Sequence, residues 1–157
     1  MEELDLIDRK IVAELMRDAT LSLAEIALRV GLSQTPCWRR IRRLEASGVL
    51  NCRVALADPA ALGLRLSAFV GVSAPEQSEA WHGQFRAVVA GIPEIMEVWR
   101  MAGTQDYLLR VVVADMEAFD RLQHRLTEAV PIRALATQFA LERIKFTTAY
   151  PLDTRNR

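Results

Sequence analysis

The sequence predicts a two-domain α+β protein: a helix-turn-helix domain over residues 1–50, a linker strand over 51–63, and a ferredoxin-like βαββαβ domain over 64–157. Three observations predict it. Three short helical patterns, each with its own start or stop signal, fill the first fifty residues. An extended stretch closed by Asp58-Pro59 follows. Beyond it, strand and helix patterns alternate as β-α-β-β-α-β, the split βαβ order.

Leu4, Ile7, Ile11 and Leu15 recur at helical spacing and predict an amphipathic helix over about 4–18. Ser22 before LAEIALRV, with Glu25 three residues on, is a capping box opening a second helix, and Gly31 is its stop. Ser33 or Thr35 caps a third helix, with Pro36 in its first turn and Gly48 after its end. In the second domain, LRLSAFVGVS (64–73) reads as a strand and 76–90 as a helix broken by Ile92-Pro93. EIMEVWRM and DYLLRVVV read as a hairpin turning at Ala102-Gly103-Thr104-Gln105. Asp115 caps a helix over 116–129, Pro131 ends it, and a last strand covers about 134–146.

The composition excludes several classes. Half of the chain is hydrophobic (51%), which supports a buried core, and no apolar run approaches the ~20 residues of a membrane span. The acidic start MEELDLIDRK lacks an apolar h-region, so no signal peptide is expected. Cys37 and Cys52 are too few for a disulfide framework, and a cytoplasmic location is expected. His82 and His124 have no Cys or acid at metal-ligand spacing, so no metal or other cofactor is expected. The segment around Glu79, Trp81 and His82 reads as helix surface beside one core aromatic.

Net charge is zero, but residues 29–53 hold six arginines against Glu45 alone. Four of them, Arg39, Arg40, Arg42 and Arg43, fall within five positions of the third helix. At ~100° per residue, Cys37, Ile41 and Leu44 share the buried arc, and Thr35, Arg39, Arg42 and Arg43 the opposite one. Trp38 and Arg40 lie on the flanks, Arg40 in a position suited to a structural role. Small Ala27, the turn glycine Gly31 and small Cys37 suit a helix-turn-helix whose third helix enters the major groove of double-stranded DNA. Ser33, Gln34, Thr35 and Trp38 are candidates for base edges and the entry turn, and Arg39, Arg42 and Arg43 for phosphate or guanine.

IDRKIVAEL, LSLAEIALRVGLSQTPCWRRIRRLEASGVL and AGTQDYLLRV resemble the leucine-responsive/asparagine-responsive (Lrp/AsnC) family of bacterial and archaeal transcription regulators, over nearly the whole chain. TPCWRRIRRLE carries most of the likeness, and ERIKFTTAYPL is similar to the tail of many members. Trp38 together with WRMAG resembles a branch associated with cysteine detoxification. The resemblance implies a winged-type helix-turn-helix and a regulator-of-amino-acid-metabolism domain. It implies homodimers assembling to tetramers or octamers, and a free amino acid bound between C-terminal domains.

The family's effector position corresponds to the loop Met101, Ala102, Gly103, Thr104, Gln105, Asp106 and Tyr107. The chemistry suits a zwitterion: Gly103 gives access to backbone N–H groups and Asp106 could pair with the ammonium. Thr104 and Gln105 offer further hydrogen bonds, and Tyr107 an aromatic wall. Family members often have an acid directly after this glycine, where this chain has Thr104. Thr137, Thr147 and Thr148 are the polar candidates across the subunit boundary.

The leading expectation is therefore a sequence-specific DNA-binding regulator responsive to an amino acid. The alternatives are a ferredoxin-like small-molecule enzyme or an assembly protein without DNA recognition. Against an enzyme stand the lack of a nucleophile–base pair, a phosphate-binding glycine loop and a metal cluster in the sequence.

Overall fold

A computed structural model describes residues 4–155; the outermost residues of both predicted domains lie outside that range. The chain forms two compact units, one of residues 1–55 with 144–157 and one of 56–143. The tail, expected to belong to the second domain, thus groups with the helical one. Leu152 packs against the helical core, and Thr148 Oγ1 lies 3.4 Å from the Met16 carbonyl it donates to.

The first unit is built from α1 (Leu6–Arg17), α2 (Leu23–Val30) and α3 (Gln34–Ala46). The first two helices start where the sequence supplies a cap. Asp5 and Asp8 form a capping box on α1, and Ser22 and Glu25 form one on α2. The Ser22 hydroxyl and N–H hold the Glu25 carboxyl below the ordinary range, so the box is complete near neutral pH and is lost on acidification. Ser22→Ala is expected to lower stability by about 1 kcal/mol in a urea titration. Gly31 ends α2 at φ 74°, a left-handed conformation that a Cβ would strain. Ile11, Val12, Leu15, Ile26, Ala27, Val30, Cys37, Ile41 and Leu44 form the core. Burial also pushes the Cys37 thiol up, away from reactivity.

Residues 51–63 do not form the expected strand. Those from 51 to 58 are exposed and have no ladder partner among the described residues, and 59–63 form a turn. Asp58 Oδ1 accepts the Ala60 N–H in that turn, and the Leu64 N–H returns to the Pro59 carbonyl. A strand needs a neighbour for its N–H and C=O groups, and a β-like composition alone does not supply one.

The second unit contains β1 (Leu66–Ser73), α4 (Glu79–Ala90), β2 (Ile95–Arg100), β3 (Tyr107–Val113), α5 (Met116–Ala129) and β4 (Ala134–Phe139). The sheet order is β2-β3-β1-β4 with every neighbour antiparallel, as the predicted βαββαβ order requires. Ala68, Val70 and Val72 of β1 share one face with Tyr107, Leu109 and Val111 of β3. That face buries Trp81, Phe85 and Val89 of α4 and Phe119, Leu122 and Leu126 of α5. The last strand stops at Phe139, short of the expected 146. Ala68 is the register partner of Phe139, and the Ala140 N–H reaches the Ser67 carbonyl. Since β1 begins at Leu66, it has almost nothing further to pair with.

His82, expected on the helix surface, is 2% exposed. Its Nδ1 lies 3.0 Å from the Tyr107 hydroxyl, so this buried imidazole has a polar partner. No helix among the described residues is long and apolar enough to cross a membrane.

Candidate nucleic-acid interface and effector loop

α3 lies on the first unit with Cys37, Ile41 and Leu44 inward, as its periodicity predicts. Ser33, Gln34, Thr35, Trp38, Arg39 and Arg42 are exposed together on its outer side and at its start. Ser33 occupies the N-cap position, yet its hydroxyl makes no capping hydrogen bond. The first N–H groups of α3 therefore point outward without a side-chain acceptor, at the positive end of the helix dipole. Such an end attracts phosphate.

The four arginines divide into two pairs. Arg39 makes no ion pair among the described residues, and Arg42 makes a short-range one with Glu45 at 3.1 Å while its guanidinium lies 5.9 Å from the Trp38 ring centre. These exposed groups can turn to a new anion at little cost, because a surface pair contributes only ~0–1 kcal/mol. Arg40 and Arg43 point toward α1. Arg40 Nη1 donates to Asp5 Oδ2 at 2.6 Å and to Asp8 Oδ1 at 2.8 Å, the structural role expected of it. Arg43, expected among the DNA contacts, donates to Asp8 Oδ2 at 2.5 Å. Burial tends to raise Asp5, but the Asp8 N–H and the Arg40 guanidinium outweigh it and hold its carboxyl below the ordinary range. Nothing in the spacing of α3 signals the Asp8 partner, which lies 35 residues before Arg43.

In the second unit the loop 101–106 joins β2 to β3, which Tyr107 opens. Met101, Ala102, Gly103 and Thr104 are exposed, and Gln105 and Asp106 half-buried. The Met101 N–H donates to the Asp106 carbonyl at 2.8 Å and the Asp106 N–H to the Val72 carbonyl at 2.9 Å, tying the loop base to β1. The Asp106 carboxylate is already engaged. Oδ2 accepts the Ala74 N–H at 2.7 Å and Oδ1 the Gln77 side-chain amide at 2.7 Å. The Ala74 bond is the main cause of its lowered pKa, with help from Gln77, Arg133 and His82. Gln77 lies 29 residues before Asp106, and no local pattern in the sequence marks it as the partner. Above Gly103 the space is open, and a Cβ there would touch nothing. The Gln105 amide lies over Gly71, where any Cβ would overlap it, so the glycine makes room for this side chain.

Two expected contributors face elsewhere. Tyr107 is 4% exposed, packed against Phe85 with ring centres 4.6 Å apart, so it cannot be an aromatic wall of the loop. The alternation Tyr107, Leu109, Val111, Val113 on one face was the signal for it. Thr137 pairs with Val70 and so lies on the helix-facing side of β4, while Ala136 and Gln138 lie on the open side. Thr147 and Thr148 are exposed residues of the tail grouped with the first unit. Among the described residues no group of three His, Cys, Asp or Glu is placed to hold a metal.

Comparison with known proteins identifies both units. Residues 4–45 match the AsnC-type helix-turn-helix domain and residues 67–150 the Lrp/AsnC ligand binding domain. The chain is 47% identical to the DNA-binding transcriptional activator DecR of Escherichia coli strain K12 over 151 residues, covering 96% of this chain and 99% of that protein. It superposes on an AsnC family transcriptional regulator from Agrobacterium tumefaciens with a TM-score of 0.92 at 45% identity, covering 96% of this chain and 98% of the other. A transcriptional regulator from Neisseria meningitidis, solved as an L-Met complex, superposes with a TM-score of 0.88 at 34% identity, again covering 96% and 98%.

Proposed function

The chain belongs to the Lrp/AsnC family of DNA-binding transcription regulators, and on that premise we propose that it reads an operator with the outer face of α3 and changes its assembly or DNA affinity when a free amino acid binds its second unit. It is a regulator and not an enzyme, like the relatives it matches along its length. The observation that carries the DNA reading is the set of exposed groups on α3: Ser33, Gln34, Thr35, Trp38, Arg39 and Arg42 beside uncapped helix N–H groups. Arg39 and Arg42 meet phosphate or guanine, and Gln34, Thr35 and Trp38 lie toward base edges. The protein works in the cytoplasm, where it meets its operator.

The working form is a homodimer, because two matched half-sites about one helical turn apart supply the specificity that one recognition helix lacks. The sheet face away from α4 and α5 supports this. It exposes Phe69 (38%) and Trp99 (58%) around the Glu97–Arg110 ion pair, a surface suited to a second copy of itself. Dimers assemble further, to tetramers or octamers.

The effector is a small amino acid held at the loop 101–106 between second units of neighbouring subunits, with Thr147 and Thr148 of another subunit as candidate contacts. The L-Met complex of the Neisseria protein supports the ligand class. Open space at Gly103 and the side-chain amide of Gln105 support the place. Asp106 serves this site by holding the loop to the β1–α4 connection, and its second lone pairs remain for the ammonium. Asp106→Ala is expected to abolish the amino-acid effect on DNA binding, leave ligand-free affinity within about twofold, and speed hydrogen exchange at the Ala74 N–H. The Asp106 contribution has a defined pH window. Its folded pKa is depressed, so its stabilisation is complete above the unfolded value near 3.8 and disappears as pH falls through the lower folded value. An amino-acid response unchanged in the mutant removes Asp106 from the site.

A further inference from the structure

A carboxylate on α1 has no part in the DNA-reading face, yet it controls half of the arginines on α3. Asp8 is 1% exposed, and both its oxygens are occupied, Oδ1 by Arg40 Nη1 at 2.8 Å and Oδ2 by Arg43 Nη2 at 2.5 Å. Asp5 completes the network: its Oδ2 accepts from Arg40 at 2.6 Å, and its Oδ1 accepts the Asp8 N–H at 2.8 Å. The two arginine side chains remain partly at the surface, 30% and 45% exposed, beside the face read as the DNA contact.

A stripe of four unrestrained arginines would bind any duplex, because phosphate contacts are strong and independent of sequence. We propose that Asp8 is a specificity-determining residue, a built-in stand-in for phosphate that holds Arg40 and Arg43 off the DNA backbone and leaves α3 to read DNA through Arg39, Arg42 and its polar N-terminal turn. The inference rests on the DNA-binding reading of α3. Carboxylate and phosphate suit the same guanidinium fork, so they compete for these two side chains. The competition favours Asp8. An arriving phosphate that drew both arginines away would leave a buried carboxylate with no cation and only the Asp5 N–H at 3.4 Å, which is far more costly than turning the exposed Arg42 from Glu45. Asp8 therefore suppresses sequence-independent affinity without touching DNA, and the ratio of operator to random binding rises.

The test measures fluorescence anisotropy of a random-sequence 30-base-pair duplex against KCl concentration for the full chain. In wild type, Arg39→Gln is expected to flatten the slope of log affinity against log salt by about 0.9 per subunit. Arg43→Gln is expected to leave slope and affinity unchanged. Asp8→Asn is expected to bind the random duplex about tenfold more tightly with a steeper slope, and Asp8→Asn/Arg40→Gln/Arg43→Gln to return to the wild-type slope. A folded Asp8→Asn protein with equal or weaker random binding overturns the proposal. Should Asp8→Asn fail to fold, Arg43→Gln decides: an unchanged slope sustains the proposal, and a loss of about 0.9 per subunit overturns it. If Arg39→Gln also has no effect, the DNA-reading face itself is wrong, and the two failures are told apart.

Discussion

Replacing Arg39 and Arg42 together by alanine is expected to abolish selective DNA binding while leaving the fold untouched. Both side chains are exposed on α3, and neither carries core contacts. Arg39 has no ion-pair partner among the described residues, and Arg42 loses only its surface pair with Glu45 and its place over Trp38. Stability should therefore change by less than about 1 kcal/mol. The loss of binding is far larger. A guanidinium on a base edge contributes about 1–3 kcal/mol of discrimination, and phosphate contacts add their counterion release. Two such groups in each of two subunits, at about 1 kcal/mol apiece, weaken operator binding on the order of a thousandfold. Electrophoretic mobility shift at fixed salt, beside a thermal melt of the same variant, checks both halves of this prediction.

Phe85→Ala should be the most destabilising single truncation of the second unit. Phe85 is wholly buried between α4 and the sheet, stacked on Trp81 with ring centres 5.0 Å apart and against Tyr107 at 4.6 Å. Removing the ring leaves a cavity that Trp81 cannot fill, since its indole Nε1 is tied to the Pro131 carbonyl at 2.6 Å. The expected cost is about 3–5 kcal/mol, a large part of the ~5–15 kcal/mol that holds a domain folded. Hydrogen exchange should localise the damage. Amides of β1 and β3 lose protection, while those of α1 to α3 keep theirs, because the two units have separate cores. Equal loss in both units would show that they unfold as one.

Local pattern made much of this molecule legible. The buried arc of Cys37, Ile41 and Leu44 follows from helical periodicity, and the alternation in β1 and β3 follows from the pleat. What escaped was set by partners distant in sequence. Angular position puts Arg43 on the outer side of α3, but Asp8 on another helix draws its guanidinium back. His82 looks like a surface residue until Tyr107, 25 residues later, supplies a buried hydroxyl. The length of β4 is fixed by where β1 begins, and the 51–63 segment fails as a strand for want of a neighbour. At the loop proposed to hold the effector, Asp106 and Tyr107 have structural work that local pattern does not show, one bonding the Ala74 N–H and the other filling the core. Tyr107 and Thr137 were readable, since counting by twos from Leu109 and Leu135 puts each on the helix-facing side.

Binding of the wild-type chain to DNA upstream of its own gene, at fixed salt and with a panel of free amino acids that includes methionine and cysteine, tests the central claim most directly. The account predicts sequence-selective binding that one amino acid shifts severalfold and that the Arg39→Ala/Arg42→Ala protein lacks. Selective binding that survives in the double mutant would contradict it, because the outer face of α3 would then not be what reads the DNA.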